Sequence, residues 1–365
     1  MMLLFYVFSI CIVLQTLFAV WMLWVKPSPE PKKNNQTAIV PLSIIICAKN
    51  EAKNLLANLH FILSQDHPDF EVIVVNDASD DLTETVLNGF SDKKLKIVNI
   101  AVDEERTLPG KKFALSKGVA TASNEQLLLC DADCKPASND WASLMTADLN
   151  HPKEIVAGYG AYEQRKGWLN VFIRWETLHT FLQYSTYAQS GVPYMAVGRN
   201  LACTKSVLLK AQSEPIWASM PSGDDDLLIQ LMGNRKNVGI VSNSAAFTYS
   251  EAKATFREWI MQKQRHLSTG KLYKKRIQFL LGLYGLSHGL MWFLWLALWI
   301  GGYGYLISSL MLLRCLLVWS LWAIGAESMK EKNLILWLPL CDIGWAIYNL
   351  FLSPYIFFKT KKQWK

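Results

Sequence analysis

The first 25 residues, MMLLFYVFSICIVLQTLFAVWMLWV, contain no charged side chain, and no other feature constrains the chain as strongly. As a helix rising about 1.5 Å per residue, this run reaches across the roughly 30 Å hydrocarbon core of a bilayer. It lacks a basic leader and an A-x-A-like end, so it reads as a retained anchor and not as a cleaved signal. Lys26, Lys32 and Lys33 follow at once and, by the positive-inside rule, place the next segment in the cytoplasm. Apolar stretches recur at 277–299, 303–325 and 334–358, and eight of the fifteen tryptophans fall between 292 and 364. The tail KTKKQWK (359–365) is basic and therefore also expected in the cytoplasm. An even number of crossings after Arg276 satisfies both ends. The stretch 334–358, interrupted by Pro339, Asp342 and Pro354, is the candidate for an interfacial or re-entrant segment.

Between these ends lies a different kind of sequence. Residues 41–270 carry 23 basic and 26 acidic side chains, whereas the flanks carry 14 basic and 4 acidic, so the net charge of +7 sits beside the apolar runs. That placement suits anionic lipid headgroups and argues against nucleic acid. The seven cysteines show no metal-ligand spacing, and the close pair Cys130 and Cys134 reads, with the rest, as reduced thiols. KPSPEPKKNNQTAIVP (26–41) is a linker, since its prolines can continue neither helix nor central strand. After it, LSIIICA (42–48), EVIVVN (71–76), KIVNIA (96–101) and EQLLLC (125–130) are nearly continuous apolar runs separated by helix-like or loop sequence. Such runs predict a mostly parallel sheet buried on both faces by helices, an α/β fold at 42–276.

In an open parallel sheet, ligands sit at the carboxyl ends of the strands. Lys49, Asn50 and Glu51 follow the first run, Asp77, Asp80 and Asp81 the second, and Asp131 and Asp133 the fourth. Two carboxylates two residues apart suit a hard divalent cation, with a diphosphate completing its shell. A lone D-x-D is more often a solvated turn, but its place after a buried strand favours the functional reading. Further on, Asp224, Asp225 and Asp226 crowd three like charges, which should raise at least one pKa and keep a carboxylate able to take a proton.

Taken together, these motifs resemble those of family 2 glycosyltransferases with the GT-A fold, in the membrane-anchored branch that includes ceramide-glucosyltransferase-like and polysaccharide-synthase-like enzymes. IIICAKNEAKNL is similar to the family's first strand and N-E turn, VVNDASDDLT to its V-D-D-G-S-x-D-x-T loop, and PGKKFALSKG to G-K-x-x-A-L-x-x-G. CDAD matches the D-x-D, SGDDDLL the E-D or G-D-D element, and QKQRH the Q-x-x-R-W motif. The resemblance implies a Rossmann-like GT-A domain with N- and C-terminal transmembrane helices. It assigns Glu51 and Asp77 to the nucleotide base, Lys111 to the diphosphate, Asp131 to the ribose or metal, and Asp133 to Mg²⁺ or Mn²⁺. Asp225 becomes the general base, with Asp224 beside it, and Gln262 and Arg265 hold the leaving diphosphate. Arg199, Asn200, Asp224 and His266 belong to the acceptor side. Two departures stand out: Asn76 replaces the first acid of the D-D pair, and His266 replaces the family tryptophan, which puts the acceptor geometry in question.

The chemistry agrees with those roles. Sugar transfer releases a charged diphosphate, which a divalent cation, Lys111 and Arg265 would stabilise, while a carboxylate on the opposite face takes the acceptor's proton and the anomeric centre inverts. The expected activity is transfer from a UDP-sugar to a membrane lipid or lipid-linked acceptor at a bacterial inner membrane, with the catalytic domain cytoplasmic. A processive polysaccharide synthase is the alternative, and a non-catalytic sugar-nucleotide-binding protein the third reading.

Overall fold

The computed structural model describes residues 2–22, 40–221 and 223–354. The basic tail and most of the 26–41 linker lie outside the described residues. In chain order the elements are α1 (Met2–Met22), β1 (Leu42–Ala48), α2 (Ala52–Leu63), β2 (Phe70–Asp77), α3 (Thr83–Asn88), β3 (Leu95–Ile100), α4 (Lys111–Thr121), β4 (Gln126–Asp131) and β5 (Lys135–Pro136). Next come α5 (Trp141–Thr146), β6 (Ile155–Gly158), β7 (Gly160–Tyr162), α6 (Trp168–Gln189), β8 (Leu201–Thr204), α7 (Lys205–Gln212), α8 (Pro215–Ala218) and α9 (Asp224–Met232). The rest are β9 (Val238–Val241), β10 (Thr248–Ser250), α10 (Phe256–Ser268), α11 (Lys275–Leu298), α12 (Gly304–Ser328) and α13 (Leu338–Ile347). The chain divides into two compact units, one containing 40–163 and 187–252, the other 2–22, 164–186 and 253–354.

The first unit is an α/β domain around a seven-stranded sheet of order β3-β2-β1-β4-β8-β6-β9. The β3, β2, β1 and β4 strands run parallel, and β8 is antiparallel to both its neighbours. Every residue of β1 and β2 is buried, in keeping with nearly continuous apolar runs in strands covered on both faces. On one face Ile44, Ile46, Val72, Val74 and Leu128 pack against Leu55, Leu59 and Ile62 of α2 and Trp141 and Met145 of α5. Each such aliphatic side chain contributes about 1.5–3 kcal/mol when fully buried. A small sheet, β5-β10-β7, completes the unit.

The second unit gathers the apolar helices. Three stretches among the described residues are long and apolar enough to cross a membrane: Met2–Met22, Lys275–Ser328 and Lys332–Leu352. The middle one is two helices, because Gly302 has φ 91° and breaks the helical path. The chain reverses there, since Asp342 bonds both His288 of α11 and Arg314 of α12. The α1 helix joins the pair: Phe8 and Cys11 share one apolar cluster with Met291, Leu294, Leu298, Ile307, Met311 and Cys315. Gln15 donates to the Tyr284 carbonyl and to Ser287 Oγ, both at 2.9 Å. The last stretch passes from 3₁₀ (Lys332–Trp337) through α13, with Pro339 in its first turn, to a π segment (Tyr348–Leu352). The aromatic α6 belongs to this unit over 164–186, and Phe172, Trp175, Phe181 and Tyr184 are buried in it, so its aromatics pack a core.

Candidate active site

Because β1 lies between β2 and β4, in a register that pairs Ala48 with Asn76 and Cys47 with Asp131, the loops leaving the three strands emerge side by side. The first two are stitched together. Asn50 N donates to Ser79 Oγ (2.9 Å), Asp80 N to Asn50 Oδ1 (3.0 Å), Glu51 N to Thr83 Oγ1 (2.9 Å) and Ala52 N to Asp81 Oδ2 (3.2 Å). Two non-glycine residues at this junction, Asn50 and Ala78, have φ of 57° and 49°. Such left-handed residues are uncommon and persist where surrounding bonds fix them. Asp81 is thereby a loop fastener. Asn76 takes a local role as well, donating to Asn99 Oδ1 (3.0 Å) and accepting from Ser79 N (3.3 Å).

Asp77, at the end of β2, is 0% exposed, and its Oδ1 pairs with Arg106 Nη2 at 2.6 Å. Its Oδ2 is buried and has no hydrogen-bond partner among the described residues. An orphaned buried acceptor costs on the order of 1–3 kcal/mol, which a ligand N–H would recover. Arg106 was not legible as a site residue, because it sits in the patternless loop between β3 and α4. Its only signal was that β3 neighbours β2. Glu51 is buried and accepts from Asn54 Nδ2 at 2.5 Å.

Lys111 opens α4 and binds the next two groups. Its Nζ lies 2.5 Å from Asp131 Oδ1 and 3.9 Å from Asp224 Oδ2, so one ammonium links the end of β4 to the start of α9. Burial alone would lower its pKa, but Asp131 and Asp224 hold it well above the usual lysine range. Gly110, just before it, has φ 62° and ψ −142°, a region reserved for glycine, and a Cβ there would stand 2.3 Å from the Pro221 carbonyl oxygen. The PGKK turn is therefore pressed against the segment that leads into the acidic triplet.

Asp225 Oδ2 accepts from Gly198 N at 2.7 Å and its Oδ1 from Asp226 N at 2.8 Å. Burial first, then the negative charges of Asp226 and Asp224, push its carboxyl well above the usual carboxylate range despite those two donors. Like-charge crowding was the expected cause; burial is the larger one. Asp133, two residues past Asp131, accepts from Cys134 Sγ at 3.4 Å. No group of three or more His, Cys, Asp or Glu side chains able to hold a metal forms among the described residues. Asp131 and Asp133 carry carboxylate oxygens, the ligand type a hard divalent ion accepts. All seven cysteines are free and buried, in keeping with reduced thiols.

Arg199 and Asn200 differ in kind. Arg199 Nη2 donates to the Gly160 carbonyl at 2.5 Å and its guanidinium lies 4.2 Å over the Tyr162 ring. Against the effect of burial, Tyr162 and the more distant Cys134 and Asp133 raise its pKa further. The close approach that Gly160 permits is to this side chain, with a Cβ 2.3 Å from Arg199 Nε. Asn200 is 0% exposed; it accepts from Trp141 Nε1 (2.9 Å) and donates to the carbonyls of Tyr159 (3.0 Å) and Ala246 (2.8 Å). It fixes the loop internally and presents no atom to a ligand.

Gln262, Arg265 and His266 lie on α10, in the unit of apolar helices. The helix begins with a capping box in which Thr255 and Glu258 exchange side-chain and backbone bonds. Trp259 is wholly buried, and Lys263 pairs with Glu176 of α6 at 2.5 Å. Gln262 and Arg265, three residues apart, share one face and are partly buried, while His266 is exposed.

Comparison with known proteins agrees with this geometry. Residues 43–199 match the family described as Glycosyl transferase family 2. Over 247 residues the chain is 25% identical to the Probable glycosyltransferase YdaM of Bacillus subtilis, covering 64% of this chain and 56% of YdaM. Over 102 residues it is 29% identical to the Poly-beta-1,6-N-acetyl-D-glucosamine synthase of Staphylococcus epidermidis, 28% of this chain and 24% of that one. The chain thus spans about half or less of the curated relatives it matches. In fold it resembles the mannosyltransferase PcManGT of Pyrobaculum calidifontis, solved with GDP-Man and Mn²⁺, with a TM-score of 0.58 and 18% identity over 96% of this chain and 97% of that one. The parallel sheet, the carboxylates at its first strand ends and the family match fall on the same residues: 43–199 is a family 2 glycosyltransferase segment, and the domain that holds it has the GT-A fold.

Proposed function

We propose that the protein is an inverting, metal-dependent glycosyltransferase that moves one sugar from a UDP-sugar to a membrane lipid or lipid-linked acceptor. The observation that carries this reading is the single Lys111 ammonium joining Asp131, the first acid of the D-x-D, to Asp224, beside Asp225. It supports placing a departing diphosphate and a proton acceptor at one sheet edge.

In this reading the buried Oδ2 of Asp77 accepts the imide N–H of uracil, with Glu51 in the same base pocket. Asp133, with Asp131, would hold Mg²⁺ or Mn²⁺, which when bound neutralises charge on the diphosphate. Lys111 adds a fixed positive charge there, and the resemblance to the Q-x-x-R-W motif assigns Gln262 and Arg265 to the same leaving group. Asp225 accepts the acceptor hydroxyl's proton; its raised pKa brings it nearer the pH at which it must work. Arg199 orders the acceptor-side loop whose Gly198 N–H holds Asp225. His266 stands where relatives carry an indole, which suits a polar headgroup. Only Tyr273 and Lys274 separate the 3₁₀ turn Thr269–Leu272 from α11, and Lys271, Lys274, Lys275 and Arg276 suit an anionic bilayer surface of a bacterial inner membrane, with the domain cytoplasmic.

The synthase relative favours a second reading, processive polymer synthesis. The two separate in one experiment: full-length protein in membranes is given a panel of labelled UDP-sugars, and the lipid extract is resolved from insoluble polymer. A single labelled glycolipid supports the proposal. An insoluble product that lengthens with time, and no glycolipid, establishes the second reading.

A further inference from the structure

Lys112 follows Lys111 and is 0% exposed, the only lysine among the described residues with no accessible surface. Its Nζ donates to the Trp217 carbonyl at 2.7 Å and lies 5.0 Å over the Trp217 ring. Trp217 is in α8, and the backbone from there passes Pro221 to reach α9 and Asp225. Three consecutive residues of the PGKK turn therefore grip three points of that segment. Lys112 holds Trp217, Gly110 is pressed on Pro221, and Lys111 faces Asp224.

An apolar residue would fill this space more cheaply than an ammonium, because a buried cation loses its hydration. The charge here remains within electrostatic range of Asp224 and Asp225 even though burial draws its pKa down to about 8. A purely structural filler needs no such group.

We infer that Lys112 is a positioning residue for the transfer reaction, fixing Trp217 and the chain up to Pro221 so that Asp225 of α9 keeps its place relative to the donor-side turn that carries Lys111. This rests on the proposed role of Asp225 as base. It predicts a division of labour within one turn: Lys111 acts on the donor, whereas Lys112 acts on the catalytic step through the segment it anchors.

The test uses full-length protein purified in lipid nanodiscs, with Lys112→Met, Lys111→Met and Asp225→Asn measured for UDP affinity, donor KM, kcat and thermal unfolding. Lys112→Met is expected to lower kcat by about 10- to 100-fold, the scale of a misplaced catalytic group. Its donor KM and UDP affinity should stay within about twofold of wild type, while hydrogen exchange at the amides of 217–220 speeds up. Lys111→Met should instead weaken UDP binding. If the methionine variant does not fold, Lys112→Arg carries the same test, since it keeps a charged donor but displaces the Trp217 carbonyl: kcat should fall with UDP affinity retained. Wild-type kcat in the folded variant, or equal losses in kcat and UDP affinity, overturns the inference. If Asp225→Asn is itself fully active, the proposed function fails first, and the two failures are told apart.

Discussion

Replacing Asp77 by Asn tests nucleotide recognition with a change of almost no volume. The carboxylate is wholly buried, one oxygen bonded to Arg106 and the other without a partner among the described residues. A base N–H donated to that second oxygen is a charge-assisted hydrogen bond, worth about 1.5–3 kcal/mol. At 1.4 kcal/mol per tenfold change, its loss weakens UDP binding by about 10- to 150-fold. The amide cannot restore it: either its NH₂ faces the base N–H, or it faces Arg106, and the charge is gone in both cases. The folding cost is smaller, about 1 kcal/mol or less, because Arg106 is 32% exposed and water replaces part of the pair. Isothermal titration with UDP, beside a denaturant melt of both proteins, measures the two effects separately. CDP and ADP, whose bases offer a ring acceptor where uracil offers N–H, should bind weakly to wild type and respond little to the substitution. A UDP affinity within twofold of wild type in a folded Asp77→Asn protein would refute the assignment.

Other outcomes follow from the same site. Asp133→Ala should abolish transfer along with its response to added Mn²⁺ or Mg²⁺, and wild-type activity persisting in excess chelator would remove the metal role. Because Asp225 must be ionised to accept a proton and its pKa is raised by burial and by Asp226 and Asp224, kcat should fall as pH drops through a value above the roughly 3.9 of a free Asp. Folding stability carries the opposite sign: the same raised pKa contributes stability that is complete below the unfolded pKa and lost as pH rises through the folded one. A pH–rate profile flat down to pH 4 would exclude Asp225 as the titrating base.

The parallel half of the sheet was legible because β1, β2 and β4 are nearly continuous apolar runs, as strands buried on both faces must be. The carboxylates after them were legible for the same reason, since strand ends fix where ligands sit. The short strands β5, β7 and β10 were not, because two or three residues carry no periodicity. Arg106 escaped because its partner Asp77 is 29 residues away and only strand order brings them together. Asn200 misled in the other direction: an Asn in a loop after an apolar run looks like a ligand contact, and only its three internal hydrogen bonds reveal a fastener. The grouping of α6 with the apolar helices was hidden because composition along 42–276 changes too little to mark it.

The most direct test of the account is Asp225→Asn in the purified full-length protein, with UDP affinity and single-turnover sugar transfer measured on the same sample. A neutral amide keeps the Gly198 contact but cannot take a proton, so UDP affinity should stay near wild type while transfer slows by about 10²-fold or more. Transfer within a fewfold of wild type, or a loss of UDP binding as large as the loss of rate, would contradict the assignment of Asp225 as the base.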